Sequence, residues 1–141
     1  MQPPNPTILG TQMTTFFIPG HPRPQGSKRH VGNGRMIESS KHLKPWRDKC
    51  IQVMRLQNKR EPIDAPVKVT AEFVMPRPKR LVNPYPYSAD GDKLARGIGD
   101  ALEQSGVLKN DSRIVAWNIT KRYAHPDEQP GAHIHITQII N

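Results

Sequence analysis

The odd-numbered residues from Val67 to Met75 are all apolar, whereas Lys68, Thr70 and Glu72 between them are polar. A period of two puts the two sets on opposite faces of a strand, one buried and one wet. The thirteen residues that follow, PRPKRLVNPYPYS, contain four prolines. Proline fixes φ and lacks an N–H, so this segment is neither helix nor central strand and must run extended. Beyond it, Asp90 and Asp92 flank Gly91, and Leu94, Ile98, Ala101 and Leu102 recur at helical spacing as far as Gly106. Glycine just past the last periodic residue is a common helix stop. The chain therefore carries two carboxylates where an extended loop enters a helix, with Asp90 at the position that caps it.

The remaining elements follow from the same rules. Residues 1–13 carry three early prolines and no periodic pattern, so they read as a flexible leader, with Met13 as an alternative start, ahead of a single domain over residues 14–141. TTFFIPG is a short strand closed by Pro19 and Gly20. From His21 to Ser40 Gly, Pro and basic residues give a loop or loose hairpin. A helix opens at Lys44–Trp46 and runs to about Lys59, with Trp46, Cys50, Val53 and either Met54 or Leu56 on one face. Pro45 suits its first turn. Gly97 and Gly99 lie inside the second helix, which costs about 1 kcal/mol each relative to Ala and points to close packing against another backbone, a dimer partner's being one option. Strands are expected over about Arg113 to Tyr123, with Val115, Trp117 and Ile119 on one face, and over Ala132 to Ile140, with Ile134 and Ile136 inward. Helices and strands mix without strict alternation and end in an antiparallel strand pair. That order gives an α+β fold, a mixed sheet with helices mainly on one face.

At 141 residues the chain is long enough to bury a core without staples. Its one cysteine, Cys50, excludes an internal disulfide and a Cys-based zinc site. No run of about 18 apolar residues offers a membrane span, and a reducing cytoplasm is the expected location. Charge is more telling. Between Pro19 and Arg60 there are 11 Lys or Arg against two acids, an excess equal to the whole chain's net charge of +9. Such a concentrated block fits a phosphate backbone, where each neutralised phosphate releases condensed counterions, although a solubilising surface has the same composition.

Against that basic background the acids stand out. Asp90, Asp92 and Asp111, the last just before a strand, would repel one another if clustered unless a cation lay between them. Hard oxygen ligands suit Mg²⁺ or Mn²⁺, and such ions support phosphodiester hydrolysis. The same residues serve equally as a cap, a dipole partner and a turn former. His133 and His135 share a strand face without a third soft ligand in reach, so they read as a wet pair on an edge strand. Trp46 and Trp117 sit on apolar faces, which favours packing over base stacking.

ADGDKLARGIGDAL, followed by a Gly-containing linker and NDSRIV, resembles the RusA family of Holliday-junction resolvases, whose pattern is roughly D-x-D-N-L-x-K-x-x-x-D-A-L and then D-D at a strand start. PGHPRPQGSKRH, KPWRD and VTAEFVMPRP extend the likeness over about Thr14 to Ile139. The resemblance implies a Mg²⁺-dependent homodimer that makes paired nicks in four-way DNA junctions, in recombination and repair. It implies Asp90, Asp92 and Asp111 as metal ligands and catalytic residues. Three departures bear on this. Asn110 replaces the first acid of D-D, and Lys93 stands where Asn is usual. Arg96 stands where the family has Lys, which makes it a catalytic candidate that is alternatively only an i,i+4 partner of Asp92. Asp100 is expected to support helix packing or to brace the metal ligands from behind.

Phosphate contacts are expected from Lys28, Arg29, Arg35, Lys41, Lys44 and Arg47 in the basic block, from Arg77, Lys79 and Arg80 before the acids, and from Lys93. The competing readings are a non-catalytic DNA-binding or architectural protein and a nuclease for other branched DNA.

Overall fold

A computed structural model describes residues 13–25, 28–30, 36–38 and 41–139. The order is β1 (Met13–Pro19), β2 (Lys28–His30), β3 (Met36–Glu38), α1 (Leu43–Gln57), β4 (Val67–Met75), α2 (Gly91–Gln104), a 3₁₀ turn at Asp111–Arg113, β5 (Ile114–Tyr123) and β6 (Gly131–Gln138). Four strands form one mixed sheet in the order β1-β6-β4-β5, and β2 and β3 make a separate small hairpin. The expected leader, apart from Met13, lies outside the described residues.

The alternation from Val67 to Met75 does what its period requires. Val67, Val69, Ala71 and Phe73 are fully buried, as are Ile134 and Ile136 on the neighbouring β6. Both helices cover this face. From α1, Leu43, Trp46, Cys50 and Met54 are buried, so Met54 rather than Leu56 completes the stripe, and Leu56 is 64% exposed. Burial pushes the Cys50 thiol far above its usual value, which leaves it inert. From α2, Leu94, Ile98, Ala101 and Leu102 fill the other half of the core. Gly106 ends the helix with φ +85°, a conformation that glycine adopts without strain.

Four expectations need correction. β6 is not an edge strand. It lies between β1 and β4, so His133 is flanked on both sides and stacks on Phe17 with ring centroids 4.6 Å apart. β5 and β6 are not partners either, because β4 separates them, pairing parallel with β5 and antiparallel with β6. The parallel pair is closed by α2 as a crossover, the connection that parallel strands require. Val115 does not share a face with Trp117 and Ile119. A bulge at the start of the β4–β5 ladder sets Val67 opposite Ile114 and Lys68 opposite Ala116, which resets the parity. Ile114 packs on the core while Val115 is 62% exposed. Finally, within the chain the helical glycines meet side chains and not another backbone. A Cβ on Gly97 would meet Gln25 at 3.5 Å, and one on Gly99 would meet Ile114 and Trp117 at 3.7 Å, ordinary contact distances.

A charged lock closes the turn between β5 and β6. Arg122 donates to both Glu128 carboxylate oxygens at 2.6 Å, and the His125 N–H donates to the same group at 3.0 Å. These bonds, the Arg122 pair first, hold the Glu128 carboxyl down from 4.5 to about 2. Its stabilisation is complete above pH 4.5 and is lost as pH falls from there to about 2. Glu128→Gln should therefore lower the melting temperature near neutral pH and leave it almost unchanged near pH 2. Thermal melts at the two values check this; an equal deficit at both would rule out the charge as the cause.

Candidate active site

Asp90 occupies the cap position of α2, yet its side chain makes no capping hydrogen bond. It is exposed, and its carboxyl lies beside that of Asp92. The capping role expected of it is thus absent. Asp92, in the first turn, is held below the usual carboxylate range, chiefly through its contact with the Asp90 carboxyl. Its own backbone N–H, the Arg96 charge and the N–H of Lys93 assist. The open end of a helix favours negative charge for this reason. The donor set is two hard carboxylate oxygens groups side by side, which is part of the shell a divalent cation needs.

A groove of about 370 Å³ runs from this point along the outer side of α2, over the edge strand β5. Asp92 lines one end and Asp111 the other, with Arg96, Ala95, Gly99, Ile114, Trp117 and Ile119 between. The helix and strand run in opposite directions, so residues late in α2 meet residues early in β5. The Asp111 N–H donates to Glu103 at 2.9 Å, and Glu103 lies three turns, about 16 Å, along the helix from Asp92. The structure therefore brings Asp90 and Asp92 together and leaves Asp111 apart. Among the described residues no three His, Cys, Asp or Glu side chains form a group able to hold a metal. Asn110 caps the 3₁₀ turn by accepting from the Ser112 N–H at 2.8 Å, so the residue in place of an acid has a structural task.

The basic candidates converge on the Asp90 end. β1 finishes there, Gly20 lies against Trp46 of α1, and Gln25 binds the Lys93 carbonyl with its N–H at 3.0 Å. Lys41, Lys44 and Arg47 stand at the start of α1, Arg77, Lys79 and Arg80 leave the end of β4, and Lys93 opens α2. Lys44 is paired to Asp48 at 2.7 Å, and Arg77 donates to the Ala124 carbonyl at 3.5 Å. Lys28 and Arg29 lie on β2, and Arg35 lies outside the described residues. Trp46 is core and Trp117 packs half-buried against the core, as expected, where it also lines the groove.

Residues that the sequence reading did not single out join this end. His21, Arg23, His42 and Lys49 line a second pocket of about 230 Å³ with Trp46. Burial, then the Arg23 and His42 charges, lower the His21 pKa. Arg23 and Lys49 were visible only as members of the basic block. Gln25 reaches Asp100 with its side chain, so Asp100 does anchor packing. At the Asp111 end, Arg113 and Lys109 bind Asp64 at 2.7 and 3.5 Å, an ion-pair set without a signal in the linear sequence.

A family model described as Endodeoxyribonuclease RusA matches residues 19–137. The chain belongs to the RusA family. That makes it kin to enzymes that cut DNA within the strand, and it agrees with the resemblance carried by the acidic and basic motifs. No curated protein matches the chain. The RusA match spans β1's last residue to the last residue but one of β6, and so includes both ends of the groove and the whole basic end. Among the described residues no helix is long and apolar enough to cross a membrane.

Proposed function

We propose that this RusA-family chain is a Mg²⁺- or Mn²⁺-dependent endonuclease that resolves four-way DNA junctions as a homodimer, in recombination and repair. The observation that carries the reading is the Asp90–Asp92 pair: two exposed carboxylates side by side at the basic end of the molecule, of which Asp90 makes no capping hydrogen bond. Together with Asp111 they would hold the ion. When bound, such an ion supplies an activated water and neutralises the leaving oxygen.

The separation of Asp111 bears on the dimer. A two-fold axis through the middle of the groove exchanges its ends, setting the Asp111 of one copy beside the Asp90 and Asp92 of the other. Two features favour a second copy there. Among the described residues β5 is an edge without a second partner strand, a feature that proteins tend to cover, and Ile114, Trp117 and Ile119 give the groove an apolar floor. Each dimer would then carry two composite sites, which suits a substrate with two strands to nick. Arg96, mid-groove, presents a planar fork toward a phosphate oxygen. Arg77, Lys79, Arg80, Lys93, Lys41, Lys44 and Arg47 position the backbone, with Lys28, Arg29 and Arg35 expected to join them.

The test is incubation of labelled four-way junction and linear duplex with Mg²⁺, Mn²⁺ or EDTA. Paired symmetric nicks in the junction alone, lost in EDTA, are expected. Binding without product in any divalent ion would make the protein a binding module, and unpaired nicks would make it a nuclease for other branched DNA.

A further inference from the structure

Between Pro76 and Ala89 the chain holds large apolar side chains in water: Val82 is 84% exposed, Tyr85 54% and Tyr87 61%. The backbone beneath the tyrosines is anchored. Pro86, between them, is buried, and the Tyr87 N–H donates across it to the Tyr85 carbonyl at 2.9 Å, a three-residue turn that suits proline's φ. Ala89 is buried and its N–H donates to the Pro86 carbonyl at 3.2 Å. From β5, Lys121 reaches the carbonyls of both Tyr87 and Ala89. The rings thus flank a pinned turn and point away from the core.

A single exposed apolar residue needs no explanation. Two rings on an anchored turn, in a segment that also exposes Arg77, Lys79 and Arg80, are a more specific combination. Cations for phosphates and π-faces for bases are the chemistry that holds unpaired nucleic acid. Three Cα–Cα steps place Tyr87 within about 11 Å of Asp90, about three nucleotides along a strand. We infer that Tyr85 and Tyr87 are a stacking platform for bases that come unpaired at a branch point, beside the bond cut at the Asp90 end. The alternative occupant is a second copy of the chain, and the charge opposes it, since like basic segments would meet. The inference rests on the junction-cleaving reading above and adds its recognition of unpaired bases.

The experiment compares wild type, Tyr85→Ala/Tyr87→Ala and Tyr85→Phe/Tyr87→Phe. Their binding to a four-way junction carrying 2-aminopurine at the branch point, and to linear duplex, is measured in EDTA. Stacking of about 1–3 kcal/mol per base predicts that the alanine pair lowers junction affinity about tenfold or more and abolishes the fluorescence change. Duplex binding should hold, and the phenylalanine pair should behave as wild type. Alanine variants that bind and respond like wild type overturn the platform, as does an equal loss on junction and duplex. A change in oligomeric state on alanine substitution assigns the rings to a second copy and overturns it too. If wild-type protein nicks branched DNA in Mg²⁺ or Mn²⁺ while the alanine pair is unaltered, the platform alone fails. If wild type neither binds nor nicks branched DNA, the functional reading fails with it.

Discussion

Asp90→Asn is expected to cut junction nicking in Mg²⁺ by about a hundred- to a thousandfold, the scale of losing one preorganised electrostatic contact to a transition state, while junction binding is unchanged or tighter. The substitution keeps the side chain's size and one oxygen but removes a full negative charge from the pair with Asp92. Two further effects separate this result from simple damage. Asp90 makes no capping hydrogen bond and is exposed, so the melting temperature should not fall. Removing a negative charge at the basic end also lowers repulsion toward the DNA backbone, so affinity measured in EDTA should not fall. Single-turnover cleavage assays and equilibrium binding on the same preparations check both halves. Undiminished cleavage would remove Asp90 from the site, and lost binding would make it a structural residue.

How far the sequence carried this picture depends on which forces set each feature. Local patterns were readable: the period-two run became β4, the apolar stripe ending at Gly106 became α2, and the four-proline segment stayed out of both. In each case hydrophobic period and backbone sterics act within a few residues. Strand order was not readable, because pairing is decided by distant segments. β6 inserts between β1 and β4, which moved His133 from a supposed edge to a flanked position. The bulge that exposes Val115 likewise depends on the register with β4, which β5's own alternation does not encode. The basic end was legible as a charge excess, but not the convergence of Arg23 and Lys49 on the Trp46 pocket. For the acids, the motif placed Asp90 and Asp92 together correctly. It did not show that the crossover from α2 to β5 carries Asp111 to the far end of the groove, because the length of α2 separates its start from the strand that follows.

That separation yields the second large effect, restored activity from two dead proteins. If each site takes Asp90 and Asp92 from one copy and Asp111 from the other, then Asp90→Asn and Asp111→Asn homodimers are both inactive. A mixed dimer, however, concentrates both substitutions in one site and leaves its second site wholly native. Random exchange makes about half the dimers mixed, each with one intact site of two, so about a quarter of wild-type sites should return. The products should change as well: a dimer with one working site makes single nicks and cannot make the paired cuts that separate a junction into two duplexes. Co-refolding or co-expressing the two variants and resolving products on denaturing and native gels gives both readings. If the three aspartates instead serve within one chain, every mixed dimer has two damaged sites and the mixture stays as inactive as its parents. The apolar groove floor formed by Ile114, Trp117 and Ile119 supplies the matching control. A charge introduced by Ile119→Asp should disperse the dimer in sedimentation and abolish complementation together, since the second copy would no longer be present to lend its Asp111.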